Sequence, residues 1–266
     1  APYHSGGIRP ALYRTPSGQR ENQLFSNDGI KLSKTYKHLL DFATLNLNSG
    51  SWMTYHNKVR HFTDGNKKFE ALINDIRSAE KFIHLEYYIF RGDDLGKRLV
   101  KELSQKAQQG VQVRLMYDFM GNIALPKNFF KELKASGGNV CAFIPSFFIR
   151  LNYRNHRKIA VIDGKIGYVG GFNIGNEYLG LVKRFGYWRD THARFEGEVV
   201  DQLQLRFMMD WNFCSEDKFG IDSFYYPAKD VKEYLPAQIV SSGPDTRWHN
   251  VRNSYFKMIN EAEKNI

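Results

Sequence analysis

The sequence predicts an α/β protein, in the form of a sandwich in which helices cover a mixed central sheet. From Phe69 onward, apolar runs with strand character alternate with amphipathic stretches of helical period. Such alternation is typical of a sheet packed between helices. In addition, Asp163-Gly164 joins two β-rich runs, and an Asp-Gly pair in this position predicts a tight antiparallel hairpin.

The predicted elements follow one another in a regular order. Glycine commonly ends helices, and Gly110 and Gly137-Gly138 are expected to end the second and third helices. In the fourth helix, Leu203 and Phe207 are spaced as core residues. Helices are predicted over residues 69–81, 94–109, 126–135 and 198–213, and strands over residues 82–90, 111–117, 139–144 and 191–195, with the hairpin before the last strand.

The composition excludes several classes of protein. Of the 266 residues, 42% are hydrophobic and 25% are charged, which is the usage of an ordinary globular chain with a substantial core. No run reaches the roughly 18 apolar residues that span a bilayer, and no secretory signal is visible. Neither a P-loop nor a nucleophile-elbow motif is present, and the histidines show no zinc spacing. No cofactor and no metal are therefore expected.

Net charge and cysteine content indicate the surroundings in which the protein works. The net charge is +10 and the isoelectric point is about 9.4, which favours nucleic acid, anionic lipid headgroups or phosphorylated metabolites as partners. Charge alone does not choose among these three. Cys141 and Cys214 show neither metal-ligand spacing nor a disulfide framework, and they are expected to be buried thiols in a reducing compartment.

His156 and Lys158 are the strongest candidates for functional residues. In a strand, residues i and i+2 face the same side and lie about 6–7 Å apart. Both side chains can therefore converge on one small anion. The imidazole would act as nucleophile or acid/base and the ammonium as a fixed positive charge. This pair predicts phosphoryl chemistry without a metal.

The hairpin predicts which residues complete the pocket. If Asp163 and Gly164 alone form the turn, Ile162 pairs with Lys165 and His156 lies opposite Gly171.

A phosphate between the two strands would then meet His156, Lys158, the amide of Asn173 and the backbone N–H groups of Gly170 and Gly171. Glycine at these positions lets the backbone approach a ligand closely. One hairpin would thus supply one anion-binding pocket.

The same geometry gives Asp163 a different position. It lies at the turn, on the opposite face from His156 and about 20 Å away along the strand. The spacing therefore predicts a structural role, in which Asp163 shapes the turn or pairs with a nearby base.

These residues resemble a known family. His156, Lys158 and Asp163 stand in the H-x-K-x4-D arrangement of the phospholipase D superfamily, whose catalytic residues they would be, and Asn173 follows at the expected distance. Many members carry a serine where this chain has Gly171. The wider context resembles bacterial cardiolipin synthases in the segments HLEYYIF (84–90), RNHRKIAVIDGKIGYVGGFNIGNEYLG (154–180) and GYWRDTHARFEG (186–197).

The resemblance implies a phospholipase D-like α-β-α sandwich and a phosphatidyltransferase. Two phosphatidylglycerol molecules would give cardiolipin and glycerol through a phosphohistidine on His156, while Lys158 and Asn173 hold the non-bridging oxygens. The implied partners are phosphatidylglycerol and the bacterial cell membrane, with the catalytic domain on the cytoplasmic side and no nucleic acid. The alternatives are a hydrolytic phospholipase D, a phospholipase D-like nuclease or phosphodiesterase, and a non-catalytic lipid-binding fragment.

Two further interpretations stay open at this point. A nucleophilic imidazole needs an acceptor on its other nitrogen, and Asp190 is the candidate, although it could equally be a structural carboxylate at the start of a strand. The segment that contains Phe147, Phe148 and Arg150 would either dip into a lipid interface or form a packed loop.

A repeated segment indicates that the chain belongs to a larger protein. LINDIRSAEKFI (72–83) and YFKMINEAEKNI (255–266) share five identical residues when aligned end to end, as expected for the opening helix of a second copy of the domain. We expect residues 1–50 to follow a removed membrane anchor, residues 51–235 to form a first catalytic domain and residues 236–266 to begin a second. In the family, two halves share one active site, so this fragment could be inactive without the missing second half.

Overall fold

The computed structural model describes residues 27–35, 39–143, 154–243 and 249–266. Lys58–Val231 form one compact unit, and the segments up to Asn57 and from Lys232 form another. The larger unit contains His156, Lys158 and the hairpin, and it lies within the predicted catalytic domain.

A mixed sheet forms the middle of the larger unit, as the sequence predicts. Its strands lie in the order β4-β3-β2-β5-β6-β7-β1. β2, β3 and β4 are parallel to one another, whereas β5, β6 and β7 are antiparallel to their neighbours. The strands are β1 (Thr54–Asp64), β2 (Phe82–Tyr87), β3 (Gln112–Asp118), β4 (Asn139–Phe143), β5 (Lys158–Ile162), β6 (Ile166–Gly170) and β7 (Arg189–Gly197).

Helices cover both faces of this sheet, because neighbouring strand residues point to opposite sides. Leu115 belongs to the main core cluster with Leu72 and Leu99, whereas Met116 packs against Phe207 and Trp211 on the other face. The predicted α/β sandwich is therefore confirmed. Its helices are α3 (Gly65–Ser78), α4 (Asp94–Gln108), α5 (Lys131–Ala135) and α6 (Val200–Cys214), and two helices of the smaller unit, α1 (Asn27–Thr35) and α2 (Leu40–Asn48), precede them.

Some predicted boundaries were wrong. α3 begins at Gly65, four residues before the predicted start, because Asp64 caps it by accepting a hydrogen bond from the Lys67 N–H. The third helix, predicted over residues 126–135, is reduced to α5, since residues 127–130 form turns and not helix. β1 was missed because its sequence carries few apolar residues, and the exposure of its middle part shows little alternation.

The hairpin turn differs from the prediction by one residue. The Lys165 N–H donates to the Ile162 carbonyl at 3.0 Å, and Asp163 and Gly164 both have positive φ values, of 52° and 64°. These are features of the predicted turn. However, the strands pair Ile162 with Ile166, because Lys165 is an extra residue between the turn and the second strand, as in a β-bulge.

This register overturns one predicted contact. β5 begins at Lys158, so His156 precedes the strand and does not pair with Gly171. The loop before β5, and not the hairpin ladder, therefore positions the imidazole.

The smaller unit holds the predicted repeat. Here β8 (Tyr234–Ala237) pairs with the start of β1, and α7 (Asn250–Glu261) includes most of the repeated segment. α3 and α7 end at aligned positions: the Ala79 N–H donates to Ile76, and the aligned Ala262 N–H donates to Ile259. Ile76 is fully buried, but Ile259 is 47% exposed.

Candidate active site

The candidate site lies at one edge of the sheet, where several strands begin or end. β2 and β3 are parallel and end there. Since β5 is antiparallel to β2, its first residue, Lys158, lies beside the last residue of β2, Tyr87. Ligand sites in α/β folds lie outside the carboxyl ends of the parallel strands. The topology therefore brings the loops that follow β2, β3 and β6 to the start of β5.

His156 and Lys158 converge here, as their spacing predicts. The Lys158 Nζ lies 3.2 Å from the Nδ1 and 3.3 Å from the Nε2 of His156, and it also donates to the His156 carbonyl at 2.7 Å. Lys158 is only 4% exposed, whereas the imidazole is open to solvent. Tyr88 covers one side, with its ring centre 4.4 Å from that of His156. The pair combines an accessible imidazole with a shielded cation.

The electrostatics of this pair suit nucleophilic chemistry. Partial burial and the neighbouring Lys158 hold the pKa of His156 below its ordinary value of 6.5, although the carboxylate of Asp118 opposes them. Burial lowers the pKa of Lys158 to about 8, although Asp190 opposes this shift. Near neutral pH the imidazole is therefore unprotonated while most of the ammonium stays charged. A free nitrogen lone pair and a positive charge then lie close enough together to meet one anion.

The loop that carries His156 is held by residues that the sequence reasoning missed. The Asn155 N–H donates to the Asp118 carboxylate at 3.0 Å, and the Asn155 amide donates to Glu86 at 2.5 Å. Burial raises the pKa of Glu86 well above its ordinary value. Asp118 ends β3 and Glu86 lies one residue before the end of β2. The available signals were Asp118, which directly follows the predicted strand 111–117, and Glu86, a charged residue within the predicted apolar strand 82–90.

Asn173 is buried beside this edge. Its amide nitrogen donates to the Tyr178 hydroxyl at 3.0 Å, and its oxygen accepts from the Ile89 N–H at 3.0 Å. Each amide nitrogen carries two hydrogens, so among the described residues one N–H is left for a ligand. Its predicted contact with a phosphate oxygen stays a prediction.

Gly170 and Gly171 make room for residues of the neighbouring strand β7. The Gly171 N–H donates to the Thr191 carbonyl at 2.8 Å, so the expectation that this N–H binds phosphate was wrong. A Cβ on Gly171 would lie 1.9 Å from a carboxylate oxygen of Asp190, and one on Gly170 would lie 2.4 Å from the Cα of His192. Both glycines allow the end of β6 to approach β7 closely.

Asp190 lies next to Gly171 at the start of β7. Its carboxylate accepts a hydrogen bond from the Thr191 N–H at 2.7 Å, and its charge raises the pKa of Lys158. The proposed hold on the imidazole of His156 stays a prediction.

Asp163 lies at the opposite end of β5. Its carboxylate accepts hydrogen bonds from three consecutive backbone N–H groups, those of Glu80 (2.8 Å), Lys81 (2.8 Å) and Phe82 (2.9 Å). The aspartate thus anchors the hairpin turn to the start of β2, as the strand geometry predicted. The catalytic role that the motif implied for Asp163 stays a prediction, which this position does not favour.

Two more ionisable groups lie buried behind the site. Lys68 is fully buried, and its Nζ contacts the Tyr87 hydroxyl at 2.8 Å. His192 is 1% exposed, and neither of its ring nitrogens has a hydrogen-bond partner among the described residues. Burial lowers the pKa of both well below their ordinary values, and the charges of Lys68 and Lys158 lower that of His192 further. Burial therefore disfavours the charged form of both groups.

The remaining predicted residues have other positions. Cys141 and Cys214 are free thiols whose sulfurs lie 2.9 Å apart, but they are half-buried and not buried as expected. The segment with Phe147, Phe148 and Arg150 lies outside the described residues. Within the described ranges, no cluster of three or more His, Cys, Asp or Glu could hold a metal ion. None of the helices described here is both long enough and apolar enough to span a bilayer.

Comparison with known proteins then decides the family. A family model described as cardiolipin synthase, PLD-like domain, matches residues 72–211, which is more than half of the chain. The chain belongs to this family. A cardiolipin synthase of Listeria welshimeri is 49% identical over 247 residues, which cover 91% of the chain and 50% of that protein. A cardiolipin synthase of Staphylococcus aureus is 45% identical over 251 residues, which cover 92% and 50%.

These relatives are longer than the chain, which spans about half the length of the curated relatives it matches. Among solved structures, NucT from Helicobacter pylori is similar with a TM-score of 0.48 and 18% identity, covering 59% of this chain and 98% of that one. The family membership confirms the resemblance that the H-x-K-x4-D residues and their flanking segments predicted.

Proposed function

We propose that this chain carries the nucleophile of a cardiolipin synthase, which makes cardiolipin and glycerol from two phosphatidylglycerol molecules. The observation that supports this function best is the accessible imidazole of His156, which lies 3.2 Å from the Lys158 ammonium. The curated relatives named cardiolipin synthase support the choice of reaction. The net charge of +10 suits an anionic lipid substrate.

In the first step, a ring nitrogen of His156 attacks the phosphorus of one phosphatidylglycerol. An N–P bond forms, the P–O bond to glycerol breaks, and a phosphatidyl-histidine remains. The Lys158 ammonium stabilises the negative charge on the non-bridging oxygens, and Asn173 is proposed to donate its remaining N–H to them. In the second step, a hydroxyl of another phosphatidylglycerol attacks the phosphorus and releases the imidazole.

The first step also needs an acid that protonates the departing glycerol. We propose that a second histidine, from a second catalytic half, provides this proton and later removes one from the incoming alcohol. The doubled length of the relatives and the aligned ends of α3 and α7 support a two-domain enzyme. In such an enzyme, residues 51–235 would form the first domain and α7 would belong to the second.

The place of action follows from the substrate. Phosphatidylglycerol is a bilayer lipid, so we propose that the enzyme works at the bacterial cell membrane, with this domain on the cytoplasmic side.

Hydrolysis is the competing outcome, since the exposed imidazole of His156 allows water to reach a phosphatidyl-histidine, and hydrolysis would give phosphatidic acid.

Product analysis by mass spectrometry tests the proposal. Phosphatidylglycerol vesicles would be incubated with the chain alone and with the chain fused to the second half of the Listeria welshimeri relative. We expect cardiolipin from the fusion, none from its His156→Ala variant, and unchanged yields from a His61→Ala control, since His61 is an exposed histidine on β1. Phosphatidic acid alone would favour the hydrolase, and cardiolipin formation that survives His156→Ala would disprove the assigned nucleophile.

A further inference from the structure

The loop between β6 and β7 exposes large apolar side chains. We call residues 179–189 the basic aromatic loop. Within it, Leu181 is 63% exposed, Phe185 is 49% exposed and Tyr187 is 67% exposed. A cluster of large apolar side chains in water commonly marks an interaction surface.

The charge of this loop is of one sign. It contains Lys183, Arg184 and Arg189, all exposed, and no acidic residue. The Arg184 guanidinium lies 5.5 Å from the ring centre of Phe185, so cationic and apolar groups lie side by side. Basic residues next to exposed aromatic and aliphatic ones are the composition of segments that bind lipid interfaces.

The basic aromatic loop is connected to the candidate active site by direct contacts. The Phe185 ring packs at 5.8 Å against Trp188, and Trp188 packs at 5.0 Å against Tyr178. The Tyr178 hydroxyl in turn accepts the hydrogen bond from Asn173. The loop is therefore linked through Trp188 and Tyr178 to Asn173, which is proposed to bind phosphate.

A further exposed apolar residue lies in the loop that follows β3. Ile123 is 71% exposed. The neighbouring Asn122 donates to the Tyr88 carbonyl at 2.8 Å, and the Tyr88 ring covers His156. Both loops leave the sheet at the edge where Lys158 begins β5. Apolar residues thus lie on loops connected to both sides of the site.

We propose that the basic aromatic loop, together with Ile123, docks the larger unit onto an anionic lipid surface. Leu181, Phe185 and Ile123 enter the headgroup region, while Lys183 and Arg184 contact lipid phosphates. Docking by these loops presents the edge with His156 to the bilayer. The inference rests on the proposed function for its choice of surface, but lipid binding is measured without turnover.

Vesicle flotation at low ionic strength tests the proposal with the unmodified 266-residue chain. We expect binding to phosphatidylglycerol vesicles and much weaker binding to phosphatidylcholine vesicles. Lys183→Gln/Arg184→Gln should weaken binding about 30-fold, and Ile123→Ser/Leu181→Ser about tenfold or more. Two matched controls replace exposed residues elsewhere: Lys97→Gln/Lys101→Gln on α4, and Val59→Ser/Ile221→Ser. The vesicle binding of both controls should stay within about twofold of that of the unmodified chain.

Three results would overturn the docking surface: no binding by the unmodified chain, equal binding to both kinds of vesicle, or loop variants that bind as well as the controls. A parallel assay on monomeric short-chain phosphatidylglycerol, with the fused second half, separates this inference from the proposed function. Loss of vesicle binding with normal turnover of monomers supports the loop as a docking surface. Loop-dependent binding without any phosphatidyl transfer contradicts only the proposed function.

Discussion

The two ends of strand β5 carry residues of one sequence motif, but their chemistry is opposite. At the turn, the Asp163 carboxylate accepts three backbone hydrogen bonds. At the start of the strand, the buried Lys158 contacts the carbonyl and ring nitrogens of His156, and its pKa is lowered to about 8. At one end the carboxylate of Asp163 is hydrogen-bonded by the protein backbone. At the other end, burial disfavours the charged form of Lys158.

The difference shows that the spacing of the motif residues reflects the length of strand β5. The side chains of the three motif residues do not form one cluster. Five residues of β5 separate the two ends, which is roughly 16 Å at the usual rise per residue. Asp163 fixes where the strand ends, and this fixes where Lys158 begins it. We therefore expect the aspartate to act on stability, and the proposed role of His156 and Lys158 is to act on an anion.

Substitution of Lys158 should produce the largest effect on activity. In a Lys158→Met variant of the fused enzyme, we expect turnover to fall about 10²- to 10³-fold, as on loss of one donor that stabilises transition-state charge. The free energy of unfolding should stay equal or rise, since a buried cation is removed. Turnover and urea unfolding are the measurements. The control is Lys165→Met, which replaces an exposed lysine at the turn. A large loss of stability in Lys158→Met would contradict the contrast between the two ends of β5.

Substitution of Asp163 should produce the reverse. In Asp163→Ala, three N–H groups lose their acceptor, and alanine must adopt the φ of 52°, so we expect a loss of about 2–4 kcal/mol in the free energy of unfolding. Turnover per folded molecule should change less than about twofold. Asp163→Asn, which keeps one acceptor oxygen and tolerates positive φ, should lose less stability. Folded but inactive Asp163→Ala would return the aspartate to the catalytic residues.

The sequence predicted the parts of the site that depend on local geometry. The i and i+2 spacing placed His156 and Lys158 together, and the Asp-Gly pair predicted the turn. The pairing of Ile162 with Ile166 could not be predicted, because the extra residue Lys165 changes the register without changing the hydrophobic pattern.

Long-range contacts were the other part that the sequence could not predict. The support of the His156 loop by Asp118 and Glu86 depends on how three strands assemble. Similarly, the repeated segment predicted a helix at both α3 and α7, but not that Ile76 is buried and Ile259 exposed. The local sequence pattern determines which helix or strand forms, whereas the element that packs against it determines which of its residues are buried.

The smallest expected effect is a shift of the pH profile, and it decides what Asp190 does. Activity should rise with pH through the pKa of His156, below 6.5, because the nucleophile must be unprotonated. It should fall again at higher pH, both as the second histidine loses the proton that it donates to glycerol and as Lys158 loses its charge through about 8. Since Asp190 raises the pKa of Lys158, Asp190→Asn should move the alkaline limb to lower pH and leave the acidic limb unchanged.

Asp118→Asn is the matched control at the other carboxylate. Asp118 raises the pKa of His156, so this variant should move only the acidic limb, again to lower pH, while its amide oxygen still accepts from the Asn155 N–H. If Asp190→Asn instead moves the acidic limb and lowers the plateau, Asp190 orients the imidazole of His156. Full turnover with only the alkaline limb displaced would exclude that role and assign the carboxylate of Asp190 to Lys158.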